Sequence, residues 1–302
     1  MERSHVRYRL YLVATALLFS TGGAAIKSAA LTGWQVASFR SGVAALLLVL
    51  ANPEARRGWS WRVLPVAATY AATLVLFVLA NRLTTAANAI FLQSTAPLYV
   101  LFLAPLLLGE RIRSRDLVYA AVIAGGLALF FVSSEQAVAT APDPRRGNIV
   151  GLAAGLAWAL TVTGLRWLGR SEGEKHGPSG SAMAPVVLGN AFACLVALPM
   201  AVPVTAVTSA DLAIILYLGA IQIGLAYVLM TRGLRHVPAF EASAVLLLEP
   251  VLNPVWAWLV QREKPGPWAL AGGAIIILAT LANTWAASRS GRDSQVSGTI
   301  SR

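Results

Sequence analysis

Glu249, Asn253 and Trp256 follow one another at i, i+4 and i+7 inside an apolar run, so a helix there carries a carboxylate, an amide and an indole on one face. A carboxylate in that setting could take a substrate ammonium or titrate during a transport cycle. It could equally make a structural hydrogen bond to a neighbouring helix, helped by backbone freed at Pro250. Tyr70, Thr73, Phe77 and Asn81 form a second stripe along nearly one helical face, and Tyr11 and Thr15 repeat the theme near the N-terminus. Gln93, Trp158 and Tyr227 are further amide or aromatic candidates within apolar runs. Aromatic faces with sparse hydroxyls and amides suit an uncharged or zwitterionic organic solute. Ordinary helix packing or lipid contact competes with that role for each of these residues singly. Arg40, also inside an apolar run, could neutralise a substrate carboxylate or pair with Glu249 or a helix C-terminus.

Other chemistries lack their residues. No GxxxxGK[ST] pattern occurs, so ATP is not expected to drive this chain directly, and neither HExxH nor GxSxG is present. The three His lie in termini or loops, and the one cysteine, Cys194, allows no intramolecular disulfide and no thiolate metal site. The expectation is a protein that is not an enzyme and uses no metal or cofactor.

The elements that must position these residues follow from composition. Hydrophobic residues make up 57% of the 302 and charged residues 12%, about half the share of an average soluble domain. A membrane-crossing helix needs about 20 mostly apolar residues. Ten segments meet that demand, near 8–27, 34–52, 63–81, 84–107, 115–133, 147–168, 181–203, 210–231, 239–260 and 267–287. The fold expected is an all-α integral membrane protein of ten transmembrane helices. Arg3, Arg7 and Arg9 precede the first run as in a signal peptide, but its length and the similar runs after it mark it as the first span. Trp34, Trp59, Trp61 and Trp268 fall at span ends and suit interfacial anchoring. The polar, Gly-rich stretch 171–181 reads as a flexible cytoplasmic linker.

Of the 24 Lys and Arg, 17 fall on the side of the termini, six on the opposite side, and Arg40 lies within a span. That bias places both termini in the cytoplasm. It also accounts for the formal charge of +11 without a nucleic-acid partner, since the basic residues are scattered through short loops. The partners expected are a small solute and the lipid bilayer. Gly151-x-x-x-Gly155 is too common a pattern to set an oligomeric state, which a monomer would also satisfy.

Sliding the chain on itself by 153 residues aligns 86–111 with 239–264. Pro97 then meets Pro250, Glu110 meets Glu263, and Arg111 meets Lys264. Two repeats result, 1–140 and 141–290, followed by a tail at 291–302 expected to be disordered and cytoplasmic. Five spans per half is an odd number, so the second half must enter the membrane inverted, the architecture with which many secondary transporters achieve alternating access. Pro97, Pro250 and Pro254 interrupt the backbone ladder of spans four and nine and are candidate hinges. Glu110 and Glu263, at span ends, are expected to pair near the surface with Arg111, Arg113 or Lys264 in a structural role. A channel is the rival class, but a filter of exposed carbonyls or a charged ring is not evident.

The run 97–111, the Leu248-Glu249-Pro250-Val251 segment followed by Glu263, and Phe39-Arg40 in the second span resemble the EamA family of the drug/metabolite transporter superfamily. The resemblance covers essentially the whole chain. It implies ten helices, a central cavity lined mainly by spans 1, 3, 4, 6, 8 and 9, and export of amino acids or related metabolites across the inner membrane, as in YddG-type amino-acid exporters. Span 2 lies outside that set, so a structural role is favoured for Arg40. Arg262 stands where the first repeat has Gly109, a departure that weakens the second loop signature. Aromatic or large neutral amino acids are the first choice of solute; a broad drug or metabolite effluxer and a sugar or nucleotide-sugar carrier are the alternatives.

Overall fold

Lipid offers the backbone no hydrogen-bond partner, so an apolar run that crosses it closes its bonds internally as helix. A computed structural model of the chain describes residues 2–51, 56, 59–110, 114–132, 137–172, 183–234 and 236–300. Among these residues the apolar runs are all helical, and the sole β feature is an isolated bridge between Val138 and Ala141. Most of the linker expected at 171–181 lies outside the described residues.

The first half contains α1 (Glu2–Ser20), α2 (Gly22–Ser28), α3 (Gly33–Ala51), α4 (Val63–Leu83), α5 (Ala86–Gln93), α6 (Ala96–Leu108) and α7 (Ser114–Ala128). The second contains α8 (Pro144–Glu172), α9 (Met183–Ala201), α10 (Ser209–Leu216), a π-helical segment (Tyr217–Leu225), α11 (Ala226–Leu234), α12 (Ala239–Leu246), α13 (Leu248–Gln261) and α14 (Pro267–Ile300). Among the described residues, eight stretches are long and apolar enough to cross a membrane. Among the described residues, the runs expected as spans five and ten contain the apolar helical stretches Asp116–Phe131 and Pro267–Asn283, the latter part of the longer α14. The tail expected to be disordered carries helical backbone as far as Ile300.

Two spans are broken at matching places. α5 gives way to α6 at Ser94 and Thr95, and α12 to α13 at Leu247. Pro97 and Pro250 each fall in the first turn of the second piece, where a missing N–H forfeits no helical bond. Both spans end alike. Gly109 (φ 65°, ψ 21°) and Arg262 (φ 58°, ψ 22°) adopt the left-handed conformation, and the next amides, of Glu110 and Glu263, reach back 3.4 Å to the carbonyls of Ala104 and Ala257. Arg262 therefore takes the backbone shape of Gly109, and the departure from the Gly-Glu ending leaves the loop unchanged.

α4 packs along α8 and α9, α3 along α9 and the π-helical segment, α1 against α11 and α13, α5 and α6 against α8, and α7 against α14. Gly151 and Gly155 are spent within the chain. A Cβ on Gly155 would stand 2.9 Å from the Leu92 carbonyl oxygen, so α8 lies directly on the end of α5. Leu46, Leu50, Leu106, Val118 and Leu195 are exposed, forming the apolar mantle that lipid covers. Trp59, Trp61 and Trp268 are exposed at helix starts, whereas Trp34 packs against the core.

Candidate solute cavity

A cavity of about 260 Å³ opens at the level of the helix breaks. Its wall includes Tyr70, Thr73 and Phe77 from α4, Gln93 and Ser94 at the first break, Trp158 from α8, Tyr227 from α11 and Glu249 with Pro250 just past the second break. Arg40, Phe19 and Gln222 complete the polar and aromatic lining. Broken helices suit this duty, because they turn side chains and free backbone groups toward a protein-enclosed space without exposing them to lipid.

The Glu249 carboxylate makes no hydrogen bond or ion pair with any described residue. Arg40 is 2% exposed, and its Nη2 donates to the Leu74 carbonyl at 3.0 Å, while its Nε has no partner. Tyr227 stands within electrostatic reach of both charges. Its ring packs edge-on against Tyr70 at 5.7 Å and Phe19 at 5.3 Å. The Tyr70 hydroxyl faces Tyr227 and Asn190 without closing a hydrogen bond of normal geometry. Tyr70 is held by close approach of α9, since a Cβ on Gly189 would lie 2.5 Å from its Cδ1.

Other residues singled out from the sequence lie elsewhere. Thr15 donates to the Tyr11 and Ala226 carbonyls at 2.8 and 3.3 Å, tying α1 to α11, and Tyr11 packs edge-on to Tyr8. Asn81 is buried and donates to the Phe77 carbonyl. Asn253 is fully buried against Gly23, and Trp256 Nε1 donates to Ser20 Oγ at 2.9 Å. The i, i+4, i+7 face thus divides: Glu249 meets the cavity, whereas Asn253 and Trp256 meet the first span.

That contact is the start of a zipper. Gln261 Nε2 donates to the Ala24 carbonyl and to Ser28 Oγ, both at 2.8 Å. Lys27 Nζ then lies 2.9 Å from Glu263 Oε2, with the side chains 4% and 3% exposed. Lys27 also donates to the Thr84 and Thr140 carbonyls, and Glu263 Oε1 accepts from the Ala86 amide at 2.6 Å, the start of α5. Glu263 is therefore paired with Lys27 in the interior, not with Lys264 or the arginines after α6 near the surface. Glu110 pairs instead with Arg166 at 3.4 Å, the side chains 31% and 50% exposed; Arg111 and Arg113 lie outside the described residues. A crevice of about 480 Å³ between α6, α7, α8 and α14 opens there, lined by Pro97, Val100, Val162 and Arg166 among others. Trp158 borders both crevice and cavity.

Phe19, Ser94 and Gln222 were not anticipated from the sequence. Phe19 and Lys27 stand 139 residues before Trp158 and Arg166, a repeat signal in spans one and six that could have revealed Phe19.

A helical bundle with an apolar mantle around a cavity of mixed aromatic and ionic lining is an arrangement suited to a membrane transporter of small solutes. The chain belongs to the EamA-like transporter family, whose profile matches residues 7–132 and 145–285. It is similar to the Pseudopaline exporter CntI of two strains of Pseudomonas aeruginosa, 27% identical over 285 residues, covering 90% of this chain and 94% of the relative. An uncharacterized transporter of Archaeoglobus fulgidus is 27% identical over 209 residues, 69% of this chain and 71% of that one. A solved crystal structure shares the fold at a TM-score of 0.60 and 18% identity, covering 93% of this chain and 98% of its own.

Proposed function

We propose that this transporter exports amino acids, aromatic or large neutral ones first, or related small metabolites across a cytoplasmic-type inner membrane. It does so by alternating access between two oppositely oriented five-helix halves, 1–140 and 141–290, with α7 and α14 serving as the fifth and tenth spans. The observation that carries this reading is the unequal state of two matched ends. At one end the first and ninth spans are zipped shut from Ser20–Trp256 to Lys27–Glu263. At the other the corresponding sixth and fourth spans border a crevice, and the corresponding pair, Arg166–Glu110, sits half-exposed at 3.4 Å.

Helix packing supports the pseudo-symmetry. α1 on α11 has its counterpart in α8 on α4, α1 on α13 in α8 on α6, and α3 on the π-helical segment in α9 on α4. The family match in two stretches agrees with two halves. A duplicated bundle of this kind changes access by letting the two ends exchange conformations around a fixed site. With the termini cytoplasmic, as the basic residues favour, the zipped end faces outward and the crevice inward. Likeness to an exporter supports outward delivery of a small metabolite.

A reversible cross-link tests the cycle. With Cys194→Ala as background, Ser28→Cys and Gln261→Cys put one thiol on each partner of a 2.8 Å side-chain contact, within reach of a short bis-methanethiosulfonate cross-linker. Cross-linking is expected to stop counterflow of labelled amino acids in proteoliposomes, and reduction of the linker's disulfides to restore it. Undiminished flux through the cross-linked protein would contradict alternating access.

A further inference from the structure

We propose that the cavity takes a zwitterion by both poles, with Arg40 as the carboxylate anchor and Glu249 as the ammonium site; this rests on the carrier reading above. Arg40 came from the sequence with a structural role favoured, yet its geometry fits that role poorly. A guanidinium offers five N–H donors, and this one uses a single donor, to the Leu74 carbonyl. Its Nε is buried and unpartnered, and no carboxylate of the described residues lies within ion-pair distance. A buried cation serving only as a brace is ordinarily matched by an anion.

The cavity wall holds two charged residues, Arg40 and Glu249, neither of them paired. Opposite charges set apart across one cavity are the complement of a solute that itself separates charge. Arg is suited to the carboxylate because its planar fork binds two oxygens at once. Phe19, Phe77 and Trp158 supply apolar surface for a side chain between the poles. A volume of about 260 Å³ lies just under the usual range of roughly 300–1,000 Å³ for drug-sized ligands, which fits one amino acid.

Matched pairs of solutes test the assignment on the wild-type protein. Proteoliposomes are offered phenylalanine, leucine, methionine and histidine, each beside its amide, which keeps the amine and loses the carboxylate, together with a cationic dye and a neutral sugar. For any amino acid carried, the amide is expected to compete at least tenfold less well. In Arg40→Gln that preference is expected to vanish, and in Arg40→Lys to return in part, with size-exclusion profile and thermal melt confirming that both variants fold. If the amides compete as well as the acids, or only dye or sugar moves, the anchor is overturned while the carrier stands. If no solute moves, the carrier reading falls, and the anchor with it. If Arg40→Gln does not fold, the acid-to-amide ratio of the wild type alone decides.

Discussion

Lys27 and Glu263 meet 2.9 Å apart in the interior, although 236 positions separate them in the chain. The pair joins four places at once: the end of α2, the turn before α5, the stretch that leads into α8, and the end of α13. A charge pair so enclosed is costly to leave half-made, because the remaining charge has neither water nor a counter-charge.

Lys27→Met and Glu263→Gln alone are each expected to destabilise the protein by about 3–5 kcal/mol. The double replacement is expected to recover much of that loss, because no unpaired charge remains. Thermal unfolding in nanodiscs measures all three. A double variant as unstable as the sum of the singles would show that the carbonyl and amide contacts, and not the ion pair, hold this end. By contrast, Glu110→Gln should cost no more than about 1 kcal/mol at its half-exposed site.

Gly109 and Arg262 share one backbone conformation but differ in what it costs. A side chain in the left-handed region carries a penalty of roughly 1–2 kcal/mol. Arg262→Gly is therefore expected to stabilise by up to about 1 kcal/mol, after the greater chain entropy of Gly is set against it. Gly109→Ala is expected to destabilise by a similar amount. The two melting shifts should have opposite signs, and equal signs would contradict the shared geometry.

Gly189 is expected to tolerate no side chain. Its neighbours are a ring carbon of Tyr70 at 2.5 Å from the ideal Cβ and the Ala67 carbonyl at 2.9 Å, and the latter cannot turn away. Gly189→Ala should force α9 from α4, cost about 1–3 kcal/mol, and displace Tyr70 from the cavity wall. Melting temperature and the apparent affinity for the carried solute should fall together.

Trp158 is the side chain common to cavity and crevice. Trp158→Ala is expected to join the two spaces, so that the profile of carried solutes broadens toward larger ones. Competition by a series of amino acids and dipeptides of rising size provides the measurement, and an unchanged size limit would place the restriction elsewhere.

Much of this frame was legible in the residues. Apolar runs mark the helices because lipid leaves the backbone no other choice, and the 153-residue offset carries the two helix breaks and their left-handed ends in register. The runs expected as spans five and ten are helical in α7 with the 3-10 turn after it and in α14. The cavity was legible in part: Tyr70, Thr73, Phe77, Gln93, Trp158, Tyr227 and Glu249 share it. Asn253 and Trp256 share a helical stripe with Glu249, but stripe membership does not say which neighbour each residue meets, and the first span claims those two. Nor could spacing pair Lys27 with Glu263, because that contact depends on how distant spans are brought side by side.

The stretch between the halves is lashed down. Thr140 accepts from Lys27, and the Asp143 amide donates to the Leu83 carbonyl at 3.0 Å, so the joint rests on the same end that Glu263 closes. A joint fastened at one mouth makes the two mouths of the bundle unlike: movement at this one must carry or release the connecting stretch, a demand the other does not share.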